Sequence, residues 1–109
     1  MRPIRVVLAL MLSLILAPPV FAQGPVAPVE GVVLDDQTGL GAPGLTASLI
    51  HPQMGRSAPS LTDRNGHFEW SAIPMQSEPY YLEIYWGSKL LYRRQVIVQG
   101  PLRLPVLRL

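Results

Sequence analysis

The sequence predicts an all-β domain, a seven-stranded antiparallel β-sandwich that follows a cleaved N-terminal signal peptide. Two observations favour this fold class. Short segments rich in β-branched and aromatic residues recur between turn-forming residues, and no helical period of apolar residues occurs after residue 23. The seven segments fit one small domain, and nothing is left over for a second one.

The N-terminus has the pattern of a secretory signal. Arg2 and Arg5 form a basic start, an apolar run follows over residues 6–17, and Ala22 ends a small-residue cleavage motif. The apolar run is shorter than the roughly 20 residues that a membrane-spanning helix needs. We therefore expect cleavage after Ala22, a secreted or periplasmic mature chain, and no membrane insertion after cleavage.

Charge and cysteine content exclude several function classes. Without Arg2 and Arg5, seven Lys and Arg residues remain against seven Asp and Glu residues, so the mature domain is close to neutral. This balance gives no support to nucleic-acid binding. The chain has no cysteine, which excludes thiol catalysis, disulfides and cysteine-based zinc sites.

The chain divides into a signal peptide (1–22), a short tail (23–28) and one domain (29–109). Within the domain, turn-forming residues separate the apolar segments. Pro105 marks the last segment as an edge or bulged strand. The predicted strands cover residues 29–34, 45–51, 60–62, 67–74, 80–86, 90–98 and 102–109.

A strand, a turn and a second strand are predicted over residues 61–70. Asp63 and Asn65 can accept hydrogen bonds from nearby backbone N–H groups, and Gly66 can adopt positive φ without a Cβ penalty. Phe68 and Trp70 alternate with polar residues and should face the core together. The sequence therefore predicts a β-hairpin with a structural turn at Asp63, Asn65 and Gly66.

The order of these motifs resembles the carboxypeptidase regulatory-like domain. The resemblance rests on Val29-Glu30-Gly31-Val32-Val33, the Asp- and Gly-rich stretch 35–43, Thr62-Asp63-Arg64-Asn65-Gly66-His67-Phe68, Ile73-Pro74 and Tyr81-Leu82-Glu83-Ile84. It implies a transthyretin-like, or prealbumin-like, seven-stranded sandwich. Such domains mostly act as accessory modules, so the resemblance implies a fold more than an activity. The long 52–59 loop and the tyrosine-rich strand depart from the family pattern.

Candidate catalytic and metal-binding groups are few. His51 and His67 could act as an acid–base pair or as metal ligands if their strands were adjacent, but a third partner at a known spacing is missing. Asp63, Asn65 and Glu69 offer oxygens for calcium, yet turn chemistry explains the first two without an ion. We expect no catalytic residue, no metal and no cofactor.

The strand over residues 80–86 carries the candidate binding residues. Its alternation places Leu82, Ile84 and Trp86 on one side, and these are expected to face inward. The other side carries Tyr81, Glu83 and Tyr85, with Arg93 and Gln95 on the strand that follows the turn. Aromatic residues and arginine are enriched at binding hot spots. The alternatives are that cross-strand pairs of this kind only stabilise the sheet, or that this side is the core of the second layer.

The adjacent pair Arg93 and Arg94 should point to opposite faces of its strand. One of the two is therefore expected near the core, paired with an acid such as Glu69 or Glu83.

Three functions follow as expectations. The first is a non-enzymatic exported module that binds an envelope or extracellular protein through Tyr81, Tyr85 and Arg93 or through an exposed edge strand. The second is a small carbohydrate- or ligand-binding module that stacks a glycan on Tyr81, Tyr85 and Trp86. The third is an enzyme built on His51 and His67. A flat face beside an unpaired strand favours the first, and an apolar concave face favours the second.

Overall fold

A computed structural model describes residues 24–109, and these form β-strands and no helix. The predicted signal peptide lies outside the described residues. Within them, no helix could cross a membrane. The strands are β1 (Val26–Leu34), β2 (Thr46–His51), β3 (Gly55–Arg56), β4 (Ser60–Leu61), β5 (His67–Pro74), β6 (Tyr80–Trp86), β7 (Lys89–Val96), β8 (Leu102–Arg103) and β9 (Leu107–Arg108).

The strands build two sheets. In sheet I, β1 pairs with β5 on one side and with the short strands β8 and β9 on the other. Sheet II has the order β3-β2-β6-β7, and β4 also pairs with β2. All pairs are antiparallel except those that β8 and β9 make with β1, which are parallel. The all-β prediction is therefore confirmed, as two mostly antiparallel sheets.

The hydrophobic core lies between the sheets and takes residues from both. β1 alternates buried and more exposed positions along its whole length, as expected for a strand with one covered face. Leu82 and Ile84 are buried at 1% and 0% exposure, as their alternation in β6 predicts. The core residues from the long strands include Val29, Val33, Ala47, Leu49, Phe68, Trp70, Ile73, Leu82 and Ile84.

Strand boundaries differ from the prediction at both ends of the domain. β1 begins at Val26, which pairs with Pro74, so part of the predicted 23–28 tail belongs to sheet I. At the other end Pro105, which has no N–H to donate, separates the last predicted strand into β8 and β9. The seven predicted segments thus form eight strands, and the long 52–59 loop contributes β3 as a ninth within residues 24–109.

The turn over residues 63–66 forms as predicted, but the hairpin around it does not. Gly66 donates its N–H to the carbonyl of Asp63 at 2.9 Å, and Gly66 has φ of 79°. Yet β4 pairs with β2 in sheet II, whereas β5 pairs with β1 in sheet I. The segment therefore crosses from one sheet to the other instead of forming a two-stranded ladder.

Thr62 explains why the chain crosses between the sheets at this point. Its buried hydroxyl donates to the carbonyl of Ala42 at 2.6 Å and accepts the N–H of Leu45 at 2.8 Å. Its backbone N–H donates to the carbonyl of Leu45, also at 2.8 Å. These bonds hold the residues before the turn against the start of β2, so they cannot pair with β5.

Asp63 is the turn residue whose side chain makes the closing bonds. One carboxylate oxygen accepts the N–H groups of Asn65 at 2.8 Å and His67 at 2.9 Å. The bond from His67 is the largest cause that lowers the Asp63 pKa below its ordinary value of 3.8, and the bond from Asn65 adds to it. The turn assignment of Asp63 and Gly66 therefore has a direct physical basis. Asn65 takes part through its backbone N–H rather than through the side-chain acceptor role that was predicted.

This lowered pKa predicts a dependence of stability on pH. The Asp63 bonds stabilise the folded state fully above pH 3.8, and this contribution disappears as the pH falls through the lower folded-state pKa. Asp63→Asn keeps an acceptor oxygen but cannot titrate, so it should be less stable than the protein at neutral pH and lose this disadvantage in acid. Urea denaturation over a pH series measures the difference, and a difference that stays constant with pH would contradict the assignment.

Candidate binding face on sheet II

The alternation of β6 places Tyr81, Glu83 and Tyr85 on the side of sheet II that faces away from the core. Arg93 and Gln95 lie opposite Glu83 and Tyr81 on β7, as expected. We call the following set the outer face: Arg56, Tyr81, Glu83, Tyr85, Arg93 and Gln95. The structure therefore brings all four predicted binding residues together, on two neighbouring strands.

Glu83 is the centre of the outer face and is only 9% exposed. The hydroxyl of Tyr85 donates to its Oε1 at 2.6 Å. The Nε of Arg93 lies 3.3 Å from its Oε2, and the Nη2 of Arg56 lies 3.6 Å from its Oε1. Two half-exposed guanidinium groups therefore flank one carboxylate, and the cluster carries a net positive charge.

Arg56 was missed by the sequence analysis, which placed it in a loop. It reaches Glu83 because β3 folds back on β2, with Ile50 opposite Arg56 and His51 opposite Gly55. Gly55 has φ of 85°, which suits the reversal that follows Pro52. The Pro52…Gly55 spacing was the available signal, since proline followed by glycine is typical of a turn.

Tyr81 is held in place by two neighbours on β7. The guanidinium carbon of Arg93 lies 4.2 Å from the centre of its ring, a cation–π arrangement. The side-chain amide of Gln95 donates to its hydroxyl at 3.0 Å. One face of the ring and its hydroxyl are thus already engaged within the domain. Tyr81 is part of a fixed polar surface rather than a free stacking platform.

The pKa of Tyr85 is raised above its ordinary value of 10.0, chiefly because its hydroxyl donates to the Glu83 carboxylate. Partial desolvation raises the pKa further, whereas the nearby Arg56 opposes both effects. Ionised Tyr85 could not donate this bond. The stabilisation is therefore complete below pH 10.0 and is lost as the pH rises through the higher folded-state pKa.

Glu83→Gln should lower the Tyr85 pKa towards 10.0, because a neutral amide no longer favours the protonated phenol. NMR titration of the tyrosine rings measures this change. Tyr80 is the internal control, since burial rather than Glu83 raises its pKa. An unchanged Tyr85 pKa in the variant would mean that the Tyr85–Glu83 bond does not exist in solution.

The expectation that Arg93 or Arg94 lies near the core is wrong. Arg93 pairs with Glu83, but on the outer face, and Arg94 is exposed although it lies opposite the buried Leu82. The reason is that β7 is the last strand of sheet II, so its inner side is only partly covered by the core: Val96 is buried there, whereas Arg94 is exposed. A side chain at an edge can point inward and still reach water.

Trp86 also departs from its predicted inward position and is 59% exposed. The β6–β7 register shifts between Ile84 and Tyr85, because Ile84 pairs with Tyr92 and Tyr85 pairs with Leu90. This β-bulge twists the end of the hairpin, and Trp86 lies beyond the core. Its ring instead lies close to Gly44.

The two histidines belong to different sheets. His51 on β2 is 1% exposed, its Nδ1 accepts the N–H of Gln53 at 3.2 Å, and its Nε2 is buried without a hydrogen-bond partner. His67 on β5 lies with its Nε2 3.5 Å from Glu30 and 3.9 Å from Glu69. Residues 24–109 contain no group of three or more His, Cys, Asp or Glu residues that could hold a metal ion.

Three surface grooves lie away from Tyr81 and Tyr85. The largest of the three, of ≈ 660 Å³, is lined by residues 57–58 and by β5, and it includes Trp70 and Ala72. A second, of ≈ 170 Å³, lies between Met54 and Tyr80, and a third, of ≈ 210 Å³, runs between the end of β7 and Leu104. None of the three offers a concave site lined by the outer-face tyrosines.

No protein-family model matches the chain, and no curated protein sequence is significantly similar to it.

Proposed function

We propose that this chain is an exported, non-enzymatic β-sandwich module that binds another protein through the outer face of sheet II. One observation carries the proposal. The outer face is an ordered network around Glu83, and it adjoins β7, whose far edge pairs with no other strand of residues 24–109. The partner would be an envelope or extracellular protein.

The order of this face supports a contact role. Binding normally costs about 0.5–1.5 kcal/mol for each long side chain that becomes fixed at an interface. Here Arg93 already rests on Tyr81, and Arg56 already contacts Glu83, so part of this cost has been met in the free domain. Tyrosine and arginine are also residue types that hot spots favour.

A glycan-binding module is the alternative that the geometry favours less. Sugar stacking needs an open aromatic face, and Arg93 covers one side of the Tyr81 ring. Trp86 is exposed, but it lies beyond the bulge at the end of the hairpin. An enzyme built on the histidines has equally little support, because His51 is buried on sheet II and His67 lies on sheet I.

We also propose a fold family and a cellular location for the domain. The resemblance to the carboxypeptidase regulatory-like family suggests a transthyretin-like arrangement of strands, and two facing sheets are compatible with it. The basic and apolar pattern of residues 1–22 suggests export and cleavage after Ala22. Together they suggest an accessory module in the periplasm or outside the cell.

Capture from envelope extract tests this function. The mature domain should retain a defined protein, and a Tyr81→Ala/Tyr85→Ala/Arg93→Ala variant should lose it. Leu40→Ala, an exposed apolar truncation in the connection after β1 and outside sheet II, is the control that should retain it. If the triple variant is folded and retains the same protein, the outer face is not the contact. If no protein is retained and a glycan array shows binding, the alternative replaces the proposal.

A further inference from the structure

The free edge of β7 is long for an unprotected edge strand. β7 spans Lys89–Val96 and is the terminal strand of sheet II, with β6 on its only paired side among the described residues. Seven of its eight residues are not buried, and only Val96 is. An edge of this kind presents a row of backbone N–H and C=O groups that another extended chain can pair with.

The charge on this edge has one sign. Lys89, Arg93 and Arg94 all lie on β7, and the strand contains no Asp or Glu. Across the strands of sheet II the only acid is Glu83, which Arg56 and Arg93 already contact. Since the segment 23–109 is neutral as a whole, its charges are divided unevenly, and the β7 side of the domain is positive.

Apolar side chains lie among these charges. Leu90 and Leu91 are 46% and 37% exposed, and Ile97 just after the strand is 53% exposed. The groove of ≈ 210 Å³ runs beside the end of β7 and is lined by Arg94, Ile97 and Leu104 among others. An incoming strand would therefore meet both apolar surface and cationic groups on this edge.

We propose that the β7 edge binds an extended acidic segment of a partner protein as an additional strand of sheet II. Carboxylates of the segment would face Lys89 and Arg94, which lie opposite Trp86 and Leu82 and so share one side of sheet II. The apolar residues between them would cover Leu90 on the other side. Backbone pairing supplies the affinity. The cations on β7 select a negatively charged segment and fix its register. This inference rests on the proposed function and gives the chemistry of the partner.

A second copy of the chain is a poor occupant of this edge. Pairing β7 with β7 of another copy would place Lys89, Arg93 and Arg94 near their own equivalents, and like charges across strands are destabilising. Cationic residues on an edge strand also oppose unwanted pairing between copies. The same cations attract an acidic segment. The positive edge of β7 therefore favours an acidic segment over a second copy of the chain.

Binding of synthetic peptides to the mature domain tests the inference. The probe is a fluorescent peptide of alternating Glu and Val, and the comparison peptide has Lys in place of every Glu. We expect the Glu peptide to bind more weakly as salt is raised, because salt screens exposed charges beyond about 10 Å at 0.1 M. NMR shifts on binding should concentrate on β7 amides. Equal binding of the two peptides would overturn the inference.

Matched charge reversals locate the site. Lys89→Glu/Arg94→Glu should weaken the Glu peptide at least tenfold, because both cations lie on the edge and neither contacts Glu83. The control Arg64→Glu/Arg108→Glu makes the same change of net charge at two exposed cations elsewhere, in the 63–66 turn and on β9 of sheet I. The control should bind the Glu peptide with an affinity within about twofold of that of the unchanged domain. If both variants lose affinity equally, the peptide is attracted only by the net charge of the domain.

N-methylated peptides separate strand addition from simple charge attraction. Two versions of the Glu peptide carry N-methyl groups on every second amide. In the first version the methylated amides all lie on one edge of the extended peptide, and in the second version they all lie on the other edge. Only one edge of an added strand faces β7, so one version should lose binding and the other should keep it. If both versions bind like the unmodified peptide, no strand is added. If the Glu peptide does not bind, but the Tyr81→Ala/Tyr85→Ala/Arg93→Ala variant still loses the captured protein, the inference about β7 is wrong and the proposed function is retained.

Discussion

Gly66→Ala is expected to lower the free energy of unfolding by more than about 3 kcal/mol. Gly66 has φ of 79°, a backbone conformation that alone costs an L-residue about 1–2 kcal/mol. A Cβ at this position would also overlap the carbonyl oxygen of Val33 and approach the N–H of Ala42 at 3.0 Å. That carbonyl accepts the N–H of Ala42, so the neighbouring backbone cannot move without losing a hydrogen bond.

The matched control is Gly39→Ala, measured by the same urea denaturation. Gly39 has φ of 73°, but a Cβ there meets no atom within 4 Å. It should therefore cost only the backbone term of about 1–2 kcal/mol. If Gly66→Ala costs no more than Gly39→Ala, the turn does not pack against the end of β1 and the start of the 41–44 connection as described.

Phe68→Ala is expected to cost about 3–5 kcal/mol. Phe68 is 1% exposed, and its ring meets Trp70 edge to face with centroids 5.6 Å apart. Its ring also fills the space above Gly31 on the paired strand, where a Cβ would overlap it. For a small domain with a total stability near the low end of 5–15 kcal/mol, this is a large fraction.

A double-mutant cycle with Gly31→Ala tests the packing itself. Alone, Gly31→Ala should destabilise the domain because the new methyl group meets the Phe68 ring. Combined with Phe68→Leu, a smaller and more flexible side chain, it should cost less than the sum of the two single changes. Additive costs would mean that Gly31 and Phe68 do not contact each other, and the β1–β5 register would then be in doubt.

The parts of the fold that the sequence predicted correctly depend on residues that are close together in the sequence. The alternation of Leu82 and Ile84 needs only a strand with one covered face. The turn at Asp63 and Gly66 needs only bonds within a few residues. The four binding residues share a face because Tyr81, Glu83 and Tyr85 follow a period of two and a short turn brings Arg93 opposite Glu83.

The differences arise where distant segments decide the outcome. Thr62 leads the chain to β2 rather than to β5, through partners about 20 residues away in sequence, at a separation that turn patterns do not encode. The bulge opposite Ile84 and Tyr85 leaves Trp86 exposed, and an alternating pattern cannot reveal it. Arg56 reaches Glu83 only because β3 pairs with β2.

The central claim is that the outer face of sheet II is the contact surface of the domain. The most direct measurement places a photo-crosslinking side chain at position 50, where Ile50 lies opposite Tyr81 on the same side of the sheet. Position 40 serves as the control, because Leu40 is 69% exposed in the connection after β1. We expect one protein in envelope extract to be cross-linked from position 50 only. The unlabelled domain should compete with this cross-link, and the Tyr81→Ala/Tyr85→Ala/Arg93→Ala variant should not. Equal cross-linking from position 40, or equal competition by the variant, would contradict it.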